Sequence, residues 1–316
     1  MPERKMVIFS KRKNFFRLIF ALLLSICVLA VPETKAEEPL KIFVSIPPQK
    51  YFVKALGGSH VKVSVLVDSG RSPHTYEVTP RQMAELGKAD IYFTIGVDFE
   101  RTWLKKIKLT NPNLMIVAMD QNIEKIKMPG SYDWKRGNNG IHLRPNDQEE
   151  KGERGQKDPH VWLSPKLVKK MAPVIVQTLI KALPAFQSEF KANLKIFQTE
   201  MSALDSEINQ ILKPLKNRYF LVYHPAWGYF ARAYGLTQVP IEIEGKEPGA
   251  KSLYRFIQMA KENGAKVIFT ERGFSSKTAT AVARAIGGRV VFLDPLAEDY
   301  VNGMKKTAEA LLEGQK

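Results

Sequence analysis

Three of the five histidines in the sequence stand next to a proline, which stiffens the backbone beside the imidazole. They are His74, His160 and His224. His74 and His224 each follow a predicted strand, and Asp294 closes another predicted strand just before a proline. Ligands of open α/β sheets bind outside the carboxyl ends of the strands, so these side chains are candidates for one site. Three imidazoles and a carboxylate form a ligand set that suits zinc, with manganese as the alternative.

The spacing of these residues leaves a second interpretation open. The candidates are 86, 64 and 70 residues apart, unlike the local pattern of a zinc finger. A lone histidine at a strand end is commonly a structural residue, so spacing alone does not decide between one metal site and separate structural roles. The remaining two histidines, His60 in a turn and His142 in a long polar stretch, are predicted to be solvated surface residues.

Predicted strands alternate with predicted helices along most of the chain, which is typical of α/β architecture with mostly parallel sheets. Strands are predicted at residues 41–46, 61–67, 89–96, 219–223, 265–270 and 289–293, and 114–119 is a further short apolar run. A similar order of elements in both halves indicates two lobes built from βα units.

A long helix is predicted between the lobes. Apolar residues recur every three or four positions from Phe186 to Ile211 and trace one stripe. A helix from Pro184 to Leu212 would be about 40 Å long, enough to run along both lobes as a rigid strut. An ordinary packing helix inside one domain is the alternative that the stripe leaves open.

These features predict an N-terminal lobe at 37–183, a connecting helix at 184–213 and a C-terminal lobe at 214–316. Residues 129–157 contain scattered glycines and charges of both signs without apolar periodicity, so they are predicted to form a long mobile loop. Pro173 falls inside a predicted helix and is expected to kink the helix or break it in two.

The first 36 residues have the composition of a cleaved signal peptide. Basic residues precede an uncharged apolar run of 14 residues, Leu18 to Val31, which is short for a membrane span. Cleavage would remove seven basic and two acidic residues and lower the formal net charge from +16 to +11. It would also remove Cys27, the single cysteine, where the preceding Ile26 disfavours lipid attachment. An uncleaved anchor and a lipid anchor are the minority interpretations.

Composition excludes several classes of protein. One cysteine rules out an intrachain disulfide framework and a cysteine-rich zinc site. The lysines and arginines are spread through the chain without an aromatic-studded basic motif, so the positive charge does not indicate nucleic-acid binding. HExxH and GxSxG motifs of common hydrolases are both absent from the sequence.

From about residue 41 to 312, the sequence resembles the metal-binding proteins of ABC importers for zinc and manganese, the cluster A-I family. The resemblance is carried by five segments in the order and spacing of the family. They are SPHTYE at 72–77, DPHVWL at 158–163, YHPAWGYF at 223–230, IEIEGKEP at 241–248 and DPL at 294–296.

The resemblance implies two α/β lobes joined by one long rigid helix, with the metal in the cleft between the lobes. It implies His74, His160 and His224 as ligands, with Asp294 at the position where many members supply a carboxylate. Manganese-type members usually carry glutamate where this chain has His224, so zinc is favoured. Two further carboxylates, Glu77 and Glu271, are expected to support the ligands or to replace Asp294.

The function that the resemblance implies is capture of Zn²⁺ in the periplasm and delivery to a membrane permease that works with a cytoplasmic ATPase. A Mn²⁺ or Fe²⁺ protein of the same family is the first alternative, and a zinc-dependent hydrolase is the second. We expect no enzymatic activity, no nucleic-acid partner and a monomer. Many zinc-type members carry a histidine-rich loop where this chain has 129–157. That stretch contains one histidine, so we do not expect it to gather metal.

Overall fold

The computed structural model describes residues 38–68, 70–128, 157–242, 247–272 and 276–315, together with the backbone of 132–137 and 140–145. Contacts divide the chain into two units, Met1–Glu38 and Pro39–Lys316. The fold described below belongs to the second unit, and the predicted signal peptide at 1–36 lies outside the described residues. Among the residues that are described, no helix is long and apolar enough to span a membrane.

A four-stranded parallel sheet forms the centre of the N-terminal lobe. Its strands are β1 (Leu40–Val44), β2 (Val61–Val65), β3 (Ile91–Thr94) and β4 (Met115–Ala118), in the order β2-β1-β3-β4. Its helices are α1 (Pro47–Gly57), α2 (Pro80–Leu86) and α3 (Asp98–Thr110). Every residue of β3 is buried, as expected for a strand whose sheet is covered on both faces.

The helices of this lobe begin at recognisable signals. Thr79 caps α2 by accepting a hydrogen bond from the backbone N–H of Gln82, and the Gln82 side chain accepts one from the N–H of Thr79. This reciprocal pair satisfies backbone donors that the first turn of a helix leaves free. Pro80 occupies the first helical position, where a missing N–H costs nothing.

Within 129–157, where the sequence predicts a long mobile loop, the backbone at 132–137 and 140–145 forms regular structure. An antiparallel hairpin forms from β5 (Tyr132–Gly137) and β6 (Gly140–Pro145). The alternation of aromatic and charged residues at 132–135 is the period-two signal that would have revealed a strand. On either side of the hairpin, Lys127 and Lys157 pair through an isolated antiparallel bridge. The predicted mobility of the remaining residues lies outside what is described.

Two long helices follow, α4 (Pro165–Ala182) and α5 (Gln187–Leu212), joined by a 3₁₀ turn at Pro184–Phe186. Helix α5 has 26 residues, about 39 Å. It packs against α1 of the N-terminal lobe, against α4 and against the last helix of the chain. Leu212, next to the last residue of the predicted stripe, is buried, and so are five members of the stripe: Phe190, Phe197, Met201, Leu204 and Ile208. The prediction of a long helix that runs along both lobes is confirmed.

Helix α4 continues through Pro173, so the predicted break in two does not occur. Proline removes one intrahelical hydrogen bond and costs about 3 kcal/mol in a helix interior. Buried apolar residues on both sides of it, including Met171, Ile175 and Leu179, offset that cost because they hold α4 against its neighbours.

The C-terminal lobe repeats the parallel arrangement with a second sheet in the order β10-β9-β7-β8. Its strands are β7 (Tyr219–Val222), β8 (Thr237–Pro240), β9 (Val267–Thr270) and β10 (Arg289–Phe292). Its helices are α6 (Gly228–Ala233), α7 (Ala250–Glu262), α8 (Ser276–Ala285) and α9 (Tyr300–Glu313). Two lobes with parallel sheets are therefore confirmed.

One apolar core extends across both lobes. The rings of Phe52 in α1 and Tyr300 in α9 lie 4.9 Å apart in an edge-to-face arrangement. Both side chains belong to the same buried cluster as the stripe of α5. The lobes consequently share part of their hydrophobic interior.

Candidate metal centre

The structure brings the three proline-flanked histidines together. His74 lies in the loop between β2 and α2, His160 directly precedes the 3₁₀ turn Val161–Leu163, and His224 follows β7. One candidate ligand nitrogen from each lies within 4.8 Å of the other two. The ring centroids are 4.7 to 5.5 Å apart. Two residues from the first lobe thus meet one from the second.

Each of these imidazoles has a carboxylate at Nδ1. The distances are 2.7 Å from His74 Nδ1 to Asp98 Oδ2, 2.7 Å from His160 Nδ1 to Asp158 Oδ1 and 3.3 Å from His224 Nδ1 to Glu242 Oε2. An ionised carboxylate only accepts hydrogen bonds, so Asp98 and Asp158 select the tautomer with the proton on Nδ1 at His74 and His160. Burial raises the pKa of Glu242 to about 7, so this carboxyl selects the same tautomer at His224 once it is ionised. Nε2 then carries the lone pair, which is the form of imidazole that binds a metal.

The carboxylate partners are held in place by the fold itself. Asp98 is the first residue of α3, and Oδ1 of Asp158 also accepts the backbone N–H of His160 at 2.9 Å. Glu242 follows β8, and its backbone N–H donates to the carbonyl of Tyr223 at 2.9 Å. The β7–β8 pairing therefore continues past the strand ends and sets Glu242 beside His224.

Burial determines the charge state of two of the histidines. His160 and His224 are 2% and 4% exposed. Burial lowers the pKa of His160 and lowers that of His224 well below the usual value of imidazole. Both rings are consequently neutral at pH 7. The hydrogen bond from His74 in turn lowers the pKa of Asp98, which keeps that carboxylate ionised.

Two of the predicted carboxylates line the same cleft as His74 and His160, namely Glu271 and Asp294. Glu271 is buried and accepts a hydrogen bond from Trp227 Nε1 at 3.0 Å, and burial raises its pKa well above the ordinary value. Asp294 is exposed, and its Oδ1 accepts the backbone N–H of Leu296 at 3.0 Å. Neither carboxylate belongs to the group of ligand atoms that lie within 4.8 Å of one another, which the three histidines form. The ligand roles of Glu271 and Asp294 therefore stay predictions.

Glu77 is exposed and is not among the described residues that line the cleft. Its predicted part in the site also stays a prediction.

His60 is not the solvated residue that the sequence predicts. Its ring centroid lies 3.8 Å from that of Phe186, and its Nε2 lies 2.9 Å from Oε2 of Glu189. The 3₁₀ turn Gly58–His60 sets the imidazole against the start of α5, which leaves 18% of the side chain exposed. His142 lies on β6, and its side chain is outside the described part of the chain.

The three carboxylate partners at Nδ1 were not identified from the sequence. Asp158 stands two residues before His160, where a short polar side chain commonly bonds the backbone two positions on. Asp98 and Glu242 each follow a strand, so the strand-end rule that identified the histidines also applies to them. Nothing in the spacing tells which carboxylate faces which imidazole.

Hydrogen bonds join the lobes beside the site. The Tyr229 hydroxyl donates to the carbonyl of Asp158 and accepts the backbone N–H of Ile126, both at 3.0 Å. Trp162 Nε1 donates to the carbonyl of Pro295 at 2.7 Å. The same region of each lobe thus carries both ligand candidates and interlobe contacts.

The fold and the site together define a two-lobed metal-binding protein whose imidazoles come from both lobes. The model of the family described as zinc-uptake complex component A periplasmic (ZnuA) matches residues 42–314, and the chain belongs to this family.

Individual relatives agree with this assignment. The sequence is 30% identical over 290 residues to the zinc-binding protein AdcA of Streptococcus pyogenes serotype M3, covering 87% of this chain and 56% of that protein. The chain thus spans about half the length of these curated relatives. It is 27% identical to a putative metal-binding protein of Chlamydia trachomatis serovar D, covering 93% of this chain and 98% of that one.

Solved structures are similar along most of the chain. A crystal structure of ZnuA superposes with a TM-score of 0.78 at 41% identity, covering 87% of this chain and 99% of that one. A zinc-bound ZnuA that lacks residues 138–173 in its own numbering superposes with a TM-score of 0.77 at 42% identity, covering 87% of this chain and 97% of that one.

Proposed function

We propose that this chain is an exported solute-binding protein that captures Zn²⁺ in the periplasm and delivers it to the permease of an ABC importer. The observation that carries the proposal is the convergence of His74, His160 and His224, each with a carboxylate at Nδ1. Membership of the zinc-uptake family supports the same cargo and the same transport partner.

The donor set favours zinc over manganese. Zn²⁺ is commonly held by three or four nitrogen, sulfur or carboxylate ligands in a tetrahedron, with Zn–N distances of about 2.0–2.1 Å. Mn²⁺ prefers sites richer in oxygen. His224 supplies nitrogen where a carboxylate would favour manganese, and burial keeps its ring neutral.

We propose Asp294 as the fourth ligand. It lines the cleft beside His74 and His160 and is exposed, and a carboxylate can bind an ion through Oδ2 while Oδ1 keeps its hydrogen bond from Leu296. Glu271 is the alternative, although burial raises its pKa and favours the protonated form, an effect that the hydrogen bond from Trp227 opposes. A carboxylate in the fourth position closes the coordination shell, which suits transport and leaves no open position for hydrolysis.

Zinc titration of single variants tests the site. Replacing His74, His160 or His224 by alanine is expected to weaken zinc binding by more than the roughly 10–100-fold that loss of an outer partner costs. His142→Ala is the matched control and is expected to bind zinc as the wild type does. Elemental analysis of natively purified protein should find zinc, followed by competition between Zn²⁺ and Mn²⁺. Unchanged zinc affinity in all three site variants would refute the assignment.

A further inference from the structure

A buried glutamate lies close in sequence to Asp98, the carboxylate that contacts His74. Glu100 is in the first turn of α3, two residues after Asp98, and is 3% exposed. Its Oε1 accepts the backbone N–H of Ile95 at 2.9 Å and the hydroxyl of Ser45 at 2.5 Å. Its Oε2 accepts the backbone N–H of Gly96 at 2.8 Å. One carboxylate therefore binds two consecutive peptide groups.

Those peptide groups belong to the turn that leads from β3 into α3. Gly96 has a φ of 86°, in the left-handed region, and Val97 caps α3 without a side-chain hydrogen bond. Glu100 is the third residue of the helix, and its carboxylate reaches back to backbone donors before the N-cap, much as the glutamate of a capping box does. The other side of the turn is fixed by Lys125, whose Nζ donates to the carbonyl of Ile95 and pairs with Asp120 at 2.5 Å.

Directly after this turn comes Asp98, whose Oδ2 holds His74 Nδ1 at 2.7 Å. The position of Asp98 depends on the path of the backbone at 95–97, because Asp98 is the next residue in the chain. A shift in this path would move Asp98 away from His74. The imidazole would then no longer be held in one tautomer and one orientation.

We propose that Glu100 is a positioning residue for the metal site: its carboxylate fixes the turn at 95–97, the turn fixes Asp98, and Asp98 orients His74. The inference rests on the proposed zinc function for its biological meaning. The chain of contacts itself is a structural relationship that can be tested without zinc.

A carboxylate is required at this position for a geometric reason. Two oxygens each accept one backbone N–H, and Oε1 also accepts the Ser45 hydroxyl. Glutamine has the same shape but one acceptor oxygen, and its NH₂ group would face a backbone N–H donor. Glu100→Gln is therefore expected to displace the turn with little change in volume.

A double-mutant cycle separates positioning from a general structural role. Glu100→Gln is expected to lower zinc affinity about tenfold, and Asp98→Asn by 10–100-fold. If Glu100 acts through Asp98, the double variant binds zinc as Asp98→Asn alone does. Glu200→Gln is the matched control, since Glu200 accepts a hydrogen bond from Tyr51 at 2.7 Å and is not among the described residues that line the cleft. Wild-type zinc affinity in Glu100→Gln, or losses that add in the double variant, would overturn the proposal.

Imidazole ¹⁵N NMR of the zinc-free protein supplies the independent readout. The wild type and Glu200→Gln should show His74 as the hydrogen-bonded Nδ1–H tautomer, whereas Glu100→Gln should show a mixture of tautomers at His74 and an unchanged His160. An unaltered His74 signal in Glu100→Gln would contradict the inference even if the wild type failed to bind zinc. Should Glu100→Gln not fold, Glu100→Asp keeps the charge but shortens the reach to both N–H groups. Its zinc affinity in the double-mutant cycle and its His74 tautomer are then judged in the same way.

Discussion

Asp158 holds His160 through a single oxygen. Its Oδ1 accepts the backbone N–H of His160 at 2.9 Å and lies 2.7 Å from the ring nitrogen Nδ1 of the same residue. Asp158 is 0% exposed, and its Oδ2 is buried and forms no hydrogen bond within the described residues. Both the backbone and the ring of His160 are consequently oriented by one buried carboxylate.

Asp158→Asn should weaken zinc binding by about 10–100-fold. The amide presents either an oxygen or an NH₂ group to His160, so it no longer enforces the tautomer with the proton on Nδ1. Calorimetry against a competing chelator measures the effect. Asp299→Asn is the control, because Asp299 caps α9 through Asn302 and asparagine caps helices equally well. Equal losses in both variants would contradict the prediction.

Gly228→Ala should destabilise the protein by about 1–3 kcal/mol, the typical cost of inserting a methyl group into a packed interior. A Cβ at this position would lie 2.8 Å from Asp158 Oδ2, 3.2 Å from Gln238 Nε2 and 3.3 Å from Ile126 Cδ1. Zinc affinity should fall too, because relieving the clash displaces Asp158.

Gly249→Ala is the matched control for this substitution. Its Cβ would meet nothing within 4 Å, and the backbone φ is −65°. Its free energy of unfolding should stay within about 0.5 kcal/mol of the wild type. Denaturant unfolding of the zinc-free proteins checks both variants, and similar stability for the two would exclude the close packing of Gly228.

The sequence was sufficient for the lobes and the long helix because their signals are local. Buried strands and the apolar stripe of α5 are read directly from periodicity. The carboxylate partners are different, since Asp98 is 24 and Glu242 is 18 residues from the histidine that each contacts. Such pairs depend on strand order and on the path of the loops, which periodicity does not specify.

His60 shows the same limit at a surface position. A turn after two glycines predicts exposure, yet the tertiary position of α5 brings Phe186 and Glu189 against the ring. The sequence does not predict the hairpin formed by β5 and β6, for another reason. Its strands alternate, but glycines and charges around them obscure the period.

The contribution of Glu100 to stability should depend on pH. Burial raises the pKa of this carboxyl from 4.5 to about 7. Between those pH values the folded state holds a proton that the unfolded state releases, so stability decreases as pH rises and levels off above pH 7. A shift of this size corresponds to about 3 kcal/mol.

Comparison of Asp98→Asn with the Asp98→Asn/Glu100→Gln double variant isolates this effect, because the His74–Asp98 ion pair is absent from both proteins. The free energy of unfolding of zinc-free Asp98→Asn, relative to the double variant, should fall by up to about 3 kcal/mol from pH 4.5 to pH 7. Guanidinium titrations at four pH values measure it. Parallel stability curves for the two proteins would show that Glu100 keeps an ordinary pKa.

Zinc binding should leave the two lobes in nearly the same relative position, without the displacements of more than about 2 Å that mark hinge closure, so the radius of gyration should change little. Helix α5 packs against both α1 and α9, and the hydroxyl of Tyr229 in the C-terminal lobe hydrogen-bonds Asp158 and Ile126 in the N-terminal lobe. Tyr229→Phe leaves a buried carbonyl and a backbone N–H without this partner, at a cost of about 1–3 kcal/mol. Small-angle scattering with and without zinc should therefore detect a larger difference in Tyr229→Phe than in the wild type. A large compaction of the wild type on zinc binding would mean that these contacts open before the metal enters.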